Sequence, residues 1–232
     1  MSGDLNSRDA SGEPAAGDDA VAASYDAVAD SYAAEVGNEL AGKPVDRALY
    51  GCFAELVGAD AVVGDVGCGP GQVTDHLAGL GLRPVGVDPA PGMIGVARRR
   101  YPGLSFRVGS FADLGEPAAG WAGAVAVYSL IHVEPDDRAA AYAELARVIA
   151  PNGWLLLAFH LSAADQPVGS VLHLDQWWGR PIDLNFHYLE PVKVETGLAA
   201  AGFSVMSRTD RQPWPDVEHQ SRRCYLLARR NI

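Results

Sequence analysis

The chain has 232 residues, of which 48% are hydrophobic and 20% charged, and a formal net charge of -11; a chain of this length and balance buries a sizeable core and forms one domain with appendages. The acidic balance argues against a nucleic-acid partner, whose phosphates it would repel, and no apolar run approaches the roughly 20 residues that a bilayer span needs. Cys52, Cys68 and Cys224 show neither disulfide nor metal-ligand spacing, and the N-terminus lacks the basic and apolar regions of a signal peptide, so a cytoplasmic protein without a bound metal is expected.

Residues 1–18, rich in Gly, Ser, Asp and Ala, read as a disordered acidic tail; residues 1–30 hold seven acids (Asp4, Asp9, Glu13, Asp18, Asp19, Asp26, Asp30) against Arg8. Residues 19–232 then read as a single domain, which two cap helices open within residues 19–58, over 20–36 and 44–57. The second starts at Pro44 and carries Val45, Leu49, Phe53 and Leu56 at helical spacing. From Ala61 short apolar runs (61–66, 84–88, 104–108, 122–129, 153–160) alternate with helical patterns at 72–80, 90–100 and 135–149. In the last of these Pro135, Asp136 and Asp137 suit a helix start, Leu145, Val148 and Ile149 mark a buried stripe, and "PNG" (151–153) reads as its stop. Strands that are apolar throughout and joined by helices imply a parallel sheet covered on both faces, a doubly wound α/β domain. Residues 161–190 show no clear periodicity and read as an irregular lid insertion over the substrate. A helix with Val194 and Leu198 follows, ending at Gly202, and the runs 203–209 and 222–229 suit a C-terminal antiparallel hairpin.

"GDVGCGPGQVTDHL", residues 64–77, places a glycine-rich turn between a strand and a helix. Such a turn presents backbone N–H groups and the positive helix end to a ligand, and glycine lets that ligand approach closely. The dinucleotide fingerprint GxGxxG fails here, because Gln72 stands at its last glycine position. The pattern is Asp65-x-Gly67-x-Gly69-x-Gly71, and a second acid, Asp88, closes the next strand in "PVGVDPAPGM", where a carboxylate accepts both ribose hydroxyls of a nucleoside.

These motifs resemble those of the class I S-adenosylmethionine (SAM) dependent methyltransferases, in particular a bacterial group that acts on small molecules. The resemblance runs in order over roughly residues 21–229. It implies a Rossmann-like sheet of seven strands, mostly parallel with the C-terminal hairpin antiparallel, and N-terminal helices that lid the cofactor. "DVGCGPG" resembles the loop around the methionine part of SAM, formed here by Gly67, Cys68, Gly69 and Gly71 with Asp65 near the ammonium group. "GVDPAPGMI" resembles the segment in which Asp88 binds the ribose, followed by Pro89, and Met93 packs on the adenine. "VGSF" resembles the adenine-edge segment, carried by Ser110 and Phe111, with a hydroxyl where the family often has an acid. "AVYSLIHVEP" puts Tyr128, Ser129 and Leu130 on the sulfonium side, and "SYDAVADSYA" offers Tyr25 and Tyr32 to the cofactor's carboxylate end, although two tyrosines on one helical face also suit plain packing. Lys43 and Arg47 are further candidates for that carboxylate, although for Lys43 a solvated helix face is the expected reading.

Methyl transfer is an in-line displacement, so alignment and dehydration contribute most, and a base matters where the acceptor must lose a proton. His132, three residues after Ser129, is the candidate base, against a histidine that only shapes the pocket; Glu134 and His160 also lie at carboxyl ends of strands. Asp136 and Asp137 are better explained as helix-start residues than as magnesium ligands. His160, His173, Trp177, Trp178, His187 and Tyr188, with Phe186, fit a wall for a flat or largely apolar acceptor, or else a cap on the core or a dimer contact. The expected activity is methylation of a small or mid-sized, partly aromatic acceptor of specialised metabolism, on oxygen first and nitrogen, carbon or sulfur next, by a monomer or homodimer. A SAM-binding protein that does not methylate is the alternative, and an NAD-dependent oxidoreductase a weaker one.

Overall fold

The computed structural model describes residues 16–232. In chain order it has α1 (Ala16–Val36), α2 (Pro44–Val57), β1 (Val62–Val66), α3 (Gln72–Gly79), β2 (Arg83–Asp88), α4 (Pro91–Arg100), β3 (Ser105–Val108) and β4 (Trp121–Val127). There follow α5 (Arg138–Val148), β5 (Ile149–Ala163), β6 (Val171–Trp177), β7 (Arg180–His187), α6 (Pro191–Ala200), β8 (Phe203–Arg211) and β9 (Ser221–Arg230).

Seven strands form one sheet in the order β3-β2-β1-β4-β5-β9-β8. The first five are parallel, and β9 runs antiparallel to both β5 and β8. Strands with apolar side chains at successive positions need cover on both faces. In β5, Leu155, Leu157 and Phe159 join Trp121, Leu145 and Leu198 in one core, while Leu156 joins Tyr50, Phe53, Val63 and Leu77 in the other. The strand order reverses at β1 and β4, and in open α/β sheets the crevice at that point, outside the carboxyl ends of the strands, receives ligands.

Four boundaries differ from those read in the sequence. Helix α1 begins at Ala16, so residues 16–18 are helical with Asp18 and Asp19 in the first turn, where carboxylates favour a helix start; residues 1–15 of the expected tail lie outside the described residues. Helix α5 begins at Arg138, with Asp137 at its N-cap. "PNG" lies inside β5, where the partner of Trp121 is Ile149 and that of Gly123 is Trp154, so Pro151–Gly153 bulge out of the strand with Asn152 at φ +66°. Finally, the stretch 161–190 is ordered: β5 continues to Ala163, and β6 and β7 pair antiparallel as a separate hairpin turned through Trp178 and Gly179 at φ 46° and 74°.

Helix α1 ties this hairpin to the main body. Ser24 Oγ accepts the N–H of Asp183 at 2.9 Å and donates to its carbonyl at 3.2 Å. On another face of α1, the carboxylate of Asp26 accepts the N–H of Gly92 in α4 at 2.6 Å. No helix among the described residues is long and apolar enough to cross a membrane.

Candidate active site

The glycine turn owes its composition to crowding. Gly67, Gly69 and Gly71 have φ of 73°, 51° and 89°, which L side chains rarely adopt. A Cβ on Gly67 would lie 2.2 Å from Ser129 Cβ, so the turn and the end of β4 approach each other only without it. The N–H groups of Gly67 and Cys68 both donate to the carbonyl of Val87, at 2.8 and 3.1 Å, which fixes the turn against β2.

Two carboxylates stand at this turn. Asp88 accepts the N–H of Gly69 on Oδ2 at 2.8 Å and that of Ala90 on Oδ1 at 3.0 Å, thereby joining the ends of β1 and β2. Burial raises its carboxyl to about 6, against the pull of those two N–H groups. Asp65 is 1% exposed and accepts the Thr74 hydroxyl at 2.6 Å. Burial pushes its carboxyl up to about 7.

A cavity of about 340 Å³ extends from this turn across the carboxyl ends of β4 and β5, roofed by α1 and the β6–β7 hairpin. The turn contributes Asp65, Gly67, Cys68 and Gly69; the loop after β2 contributes Asp88 and Pro89, and α4 Met93. Ser110, Phe111, Tyr128 and Ser129 line it from the loops after β3 and β4, and Tyr25 and Tyr32 from α1. His132, His160, Trp177 and Tyr188 complete the set of sequence-expected residues that meet here.

Six others stand elsewhere. Gly71 is the left-handed N-cap of α3, and Leu130 is fully buried in the core. Arg47 turns its guanidinium to the carbonyls of Leu40 and Ala41, at 2.8 and 2.5 Å, capping the 3₁₀ turn Glu39–Gly42. Trp178 stacks on Trp177, ring centres 4.5 Å apart, without lining the cavity. His173 and His187 miss the cavity because side chains alternate along a strand: Leu172, Leu174 and Phe186 point in, so His173 lies exposed, 3.1 Å from Asn185 Oδ1, and His187 lines a different hollow, its Nε2 3.4 Å from Glu134. Glu134 likewise turns from the cavity, accepting the Asn185 amide at 3.0 Å. Among the described residues no three His, Cys, Asp or Glu side chains converge as a metal site.

The geometry of His132 defines its tautomer. Nδ1 lies 2.9 Å from the carbonyl of Asn185, so it carries the proton, and Nε2 accepts the Tyr25 hydroxyl at 2.8 Å. Burial holds the imidazole neutral, down to about 4. Tyr25, Tyr32 and Trp177 meet edge to face with ring centres 5.7 to 6.2 Å apart, and Phe186 packs on His132 at 4.8 Å.

Sequence reasoning missed the polar far end. Lys43, expected on a solvated face, is 7% exposed and lines the cavity with Arg223, Asp46 and His219. Lys43 Nζ lies 2.5 Å from Glu39 and 3.3 Å from Glu218, and Asp46 accepts Arg211 and the Tyr225 hydroxyl, each at 2.8 Å. Burial would raise Glu218, but Arg211 and the N–H of Trp214 outweigh it and hold the carboxyl down at about 2. No local signal marks these residues, since the partners of α2 arrive from β8 and β9.

A family model described as a methyltransferase domain matches residues 63–153, which run from β1 into β5. A relative from Serratia marcescens, malonyl-[acyl-carrier protein] O-methyltransferase, is 30% identical over 201 residues, covering 85% of this chain and 73% of its own. Among solved structures, the [4+2]-cyclase SpnF superposes with a TM-score of 0.70 at 19% identity, over 96% of this chain and all of that one. The structure of DhpI in complex with SAH gives a TM-score of 0.69 at 21% identity, over 92% and 97%.

Proposed function

The chain belongs to the class I SAM-dependent methyltransferases, and on that premise we propose that it methylates an oxygen of a small or mid-sized, partly aromatic acceptor of specialised metabolism. The observation that carries this reading is the continuity of the cavity: it starts at the glycine turn and ends beneath an aromatic roof, with His132 between the two. The name of the Serratia relative, an O-methyltransferase, supports oxygen as the acceptor atom.

SAM supplies an electrophilic methyl group whose departure leaves a neutral thioether. Everything else falls to the chain's own residues, and these fit that group. The turn at Gly67–Gly69 offers close backbone approach, Asp88 an anionic partner for a ribose, and Asp65 one for an ammonium. Met93 and Phe111 offer apolar contact to an adenine, with the Ser110 hydroxyl beside it. Tyr25, Tyr32, Trp177 and Phe186 exclude water and hold a flat acceptor by ring contacts. His132 takes the acceptor's proton at Nε2 through the Tyr25 hydroxyl, which already donates to it, while the Asn185 carbonyl keeps the proton on Nδ1.

Incubation with methyl-labelled SAM and a panel of phenols, alcohols and carboxylic acids tests the reading, with transfer of label to one of them expected. His132→Ala and Tyr25→Phe are expected to lower turnover by about 10² to 10⁴ fold for a hydroxyl acceptor and to leave the affinity for S-adenosylhomocysteine unchanged. Unchanged turnover would remove His132 from the role of base. The similar structure of SpnF is that of a [4+2]-cyclase, and tight SAM binding without label transfer to any acceptor in a host extract would favour a protein that binds SAM for another purpose.

A further inference from the structure

The cavity is polarised. Its roof beneath the hairpin is aromatic, whereas along β5 and β9 it is bounded by His160 and Arg223, which stand in register. Arg223 is 2% exposed, and its guanidinium lies 5.5 Å from the Tyr128 ring centre. Beside it the Glu218 carboxylate serves three cations: Arg211 at 2.5 Å, Arg223 at 3.2 Å and Lys43 at 3.3 Å. Arg211 has a second carboxylate in Asp46 at 2.8 Å, and Lys43 has one in Glu39 at 2.5 Å.

Among the described residues Arg223 has no carboxylate besides its share of Glu218. Its terminal nitrogens donate to the carbonyls of Ser221 and His219, at 2.7 and 2.8 Å, and its buried Nε has no hydrogen-bond partner among the described residues. A buried guanidinium with an unused donor is costly, and an anion accepts the Nε–H more strongly than a neutral group does.

Resting on the methyltransferase reading, we propose that the acceptor carries a carboxylate and that Arg223 holds it at the β5–β9 end of the cavity, with the acceptor's aromatic part under Trp177 and Phe186. The charged end then selects the acceptor and sets its direction relative to the glycine turn.

The test uses the full chain saturated with S-adenosylhomocysteine and two probes of one shape, cinnamate and its primary amide. Cinnamate is expected to bind about tenfold or more tightly than the amide, the scale of a charge-assisted hydrogen bond. Arg223→Gln is expected to erase that margin while S-adenosylhomocysteine binds within about twofold of the original affinity. Because a buried arginine also supports the fold, the Nε–H resonance of Arg223 in the unmodified protein is followed as well, and it is expected to move with cinnamate and not with the amide. An acid that binds no better than the amide, a margin that survives in Arg223→Gln, or an unmoved resonance overturns the proposal. So does a variant that folds but binds S-adenosylhomocysteine about tenfold more weakly, since the guanidinium would then serve the cofactor's own carboxylate. Failure of the unmodified protein to bind S-adenosylhomocysteine sinks the methyltransferase reading itself, whereas binding without an acid preference sinks only the carboxylate.

Discussion

Asp65 combines burial, a single hydroxyl donor and a carboxyl raised to about 7. The sign follows from linkage: the unfolded chain releases this proton near 3.8 and the folded one near 7, so the fold loses stability as pH rises between those values. A cationic ligand reverses that cost by giving the ionised form a partner. Asp65→Asn is therefore expected to raise the melting temperature of the ligand-free protein at about pH 8 by a few degrees, and to weaken binding of S-adenosylhomocysteine. In the unmodified protein that affinity is expected to strengthen as pH rises from about 6 to about 8, and in Asp65→Asn to strengthen much less, by the part that Asp88, with its carboxyl near 6, still contributes. Calorimetry across this range checks both, and a flat profile for the unmodified protein would count against Asp65 as the ammonium partner. Asp88 differs, because its two backbone N–H contacts shape the turn before any ligand arrives.

At the scale of elements, legibility tracked how local the cause was. Pro44 and the apolar stripe of α2 lie within 14 residues, and that helix runs over Pro44–Val57, the span its sequence implies. The β6–β7 hairpin was not legible, because its apolar side chains cover a cavity and α1 rather than the core, and its turn uses Trp178 in a left-handed conformation instead of the usual Asn-Gly. What attaches it is a contact between residues 159 positions apart, Ser24 and Asp183. Ser24→Val is expected to leave the N–H and carbonyl of Asp183 unpaired, at about 1 to 3 kcal/mol. Hydrogen exchange should then quicken in α1 and β7 and stay unchanged in β1, β4 and β5. Equal protection in α1 and β7 would show that packing alone holds the roof.

For the whole molecule, cofactor binding is a statement about stability. S-adenosylhomocysteine at about 100 times its dissociation constant stabilises the folded state by roughly 2.7 kcal/mol, and a domain of this size gains about 2 to 4 °C per kcal/mol. A rise in melting temperature of roughly 5 to 10 °C is expected with this ligand and none with NAD at the same concentration. A rise with NAD alone would restore the oxidoreductase reading against the evidence of Gln72 and Asp65.

By itself the sequence determined the doubly wound sheet and the place of the glycine turn. Runs of Val and Leu bounded by helical patterns admit few other packings, and three glycines at alternate positions mark a backbone brought close to a ligand. The tertiary structure alone decided what lines the cavity. Strand alternation turned His173 and His187 away, and chain closure brought Lys43 and Asp46 of the N-terminal part to Arg211, Glu218, Arg223 and Tyr225, up to 179 positions distant in hydrogen-bonded pairs. Burial then held His132 neutral, while Arg211 held Glu218 ionised, because a group removed from water takes its protonation state from the neighbours that the fold supplies.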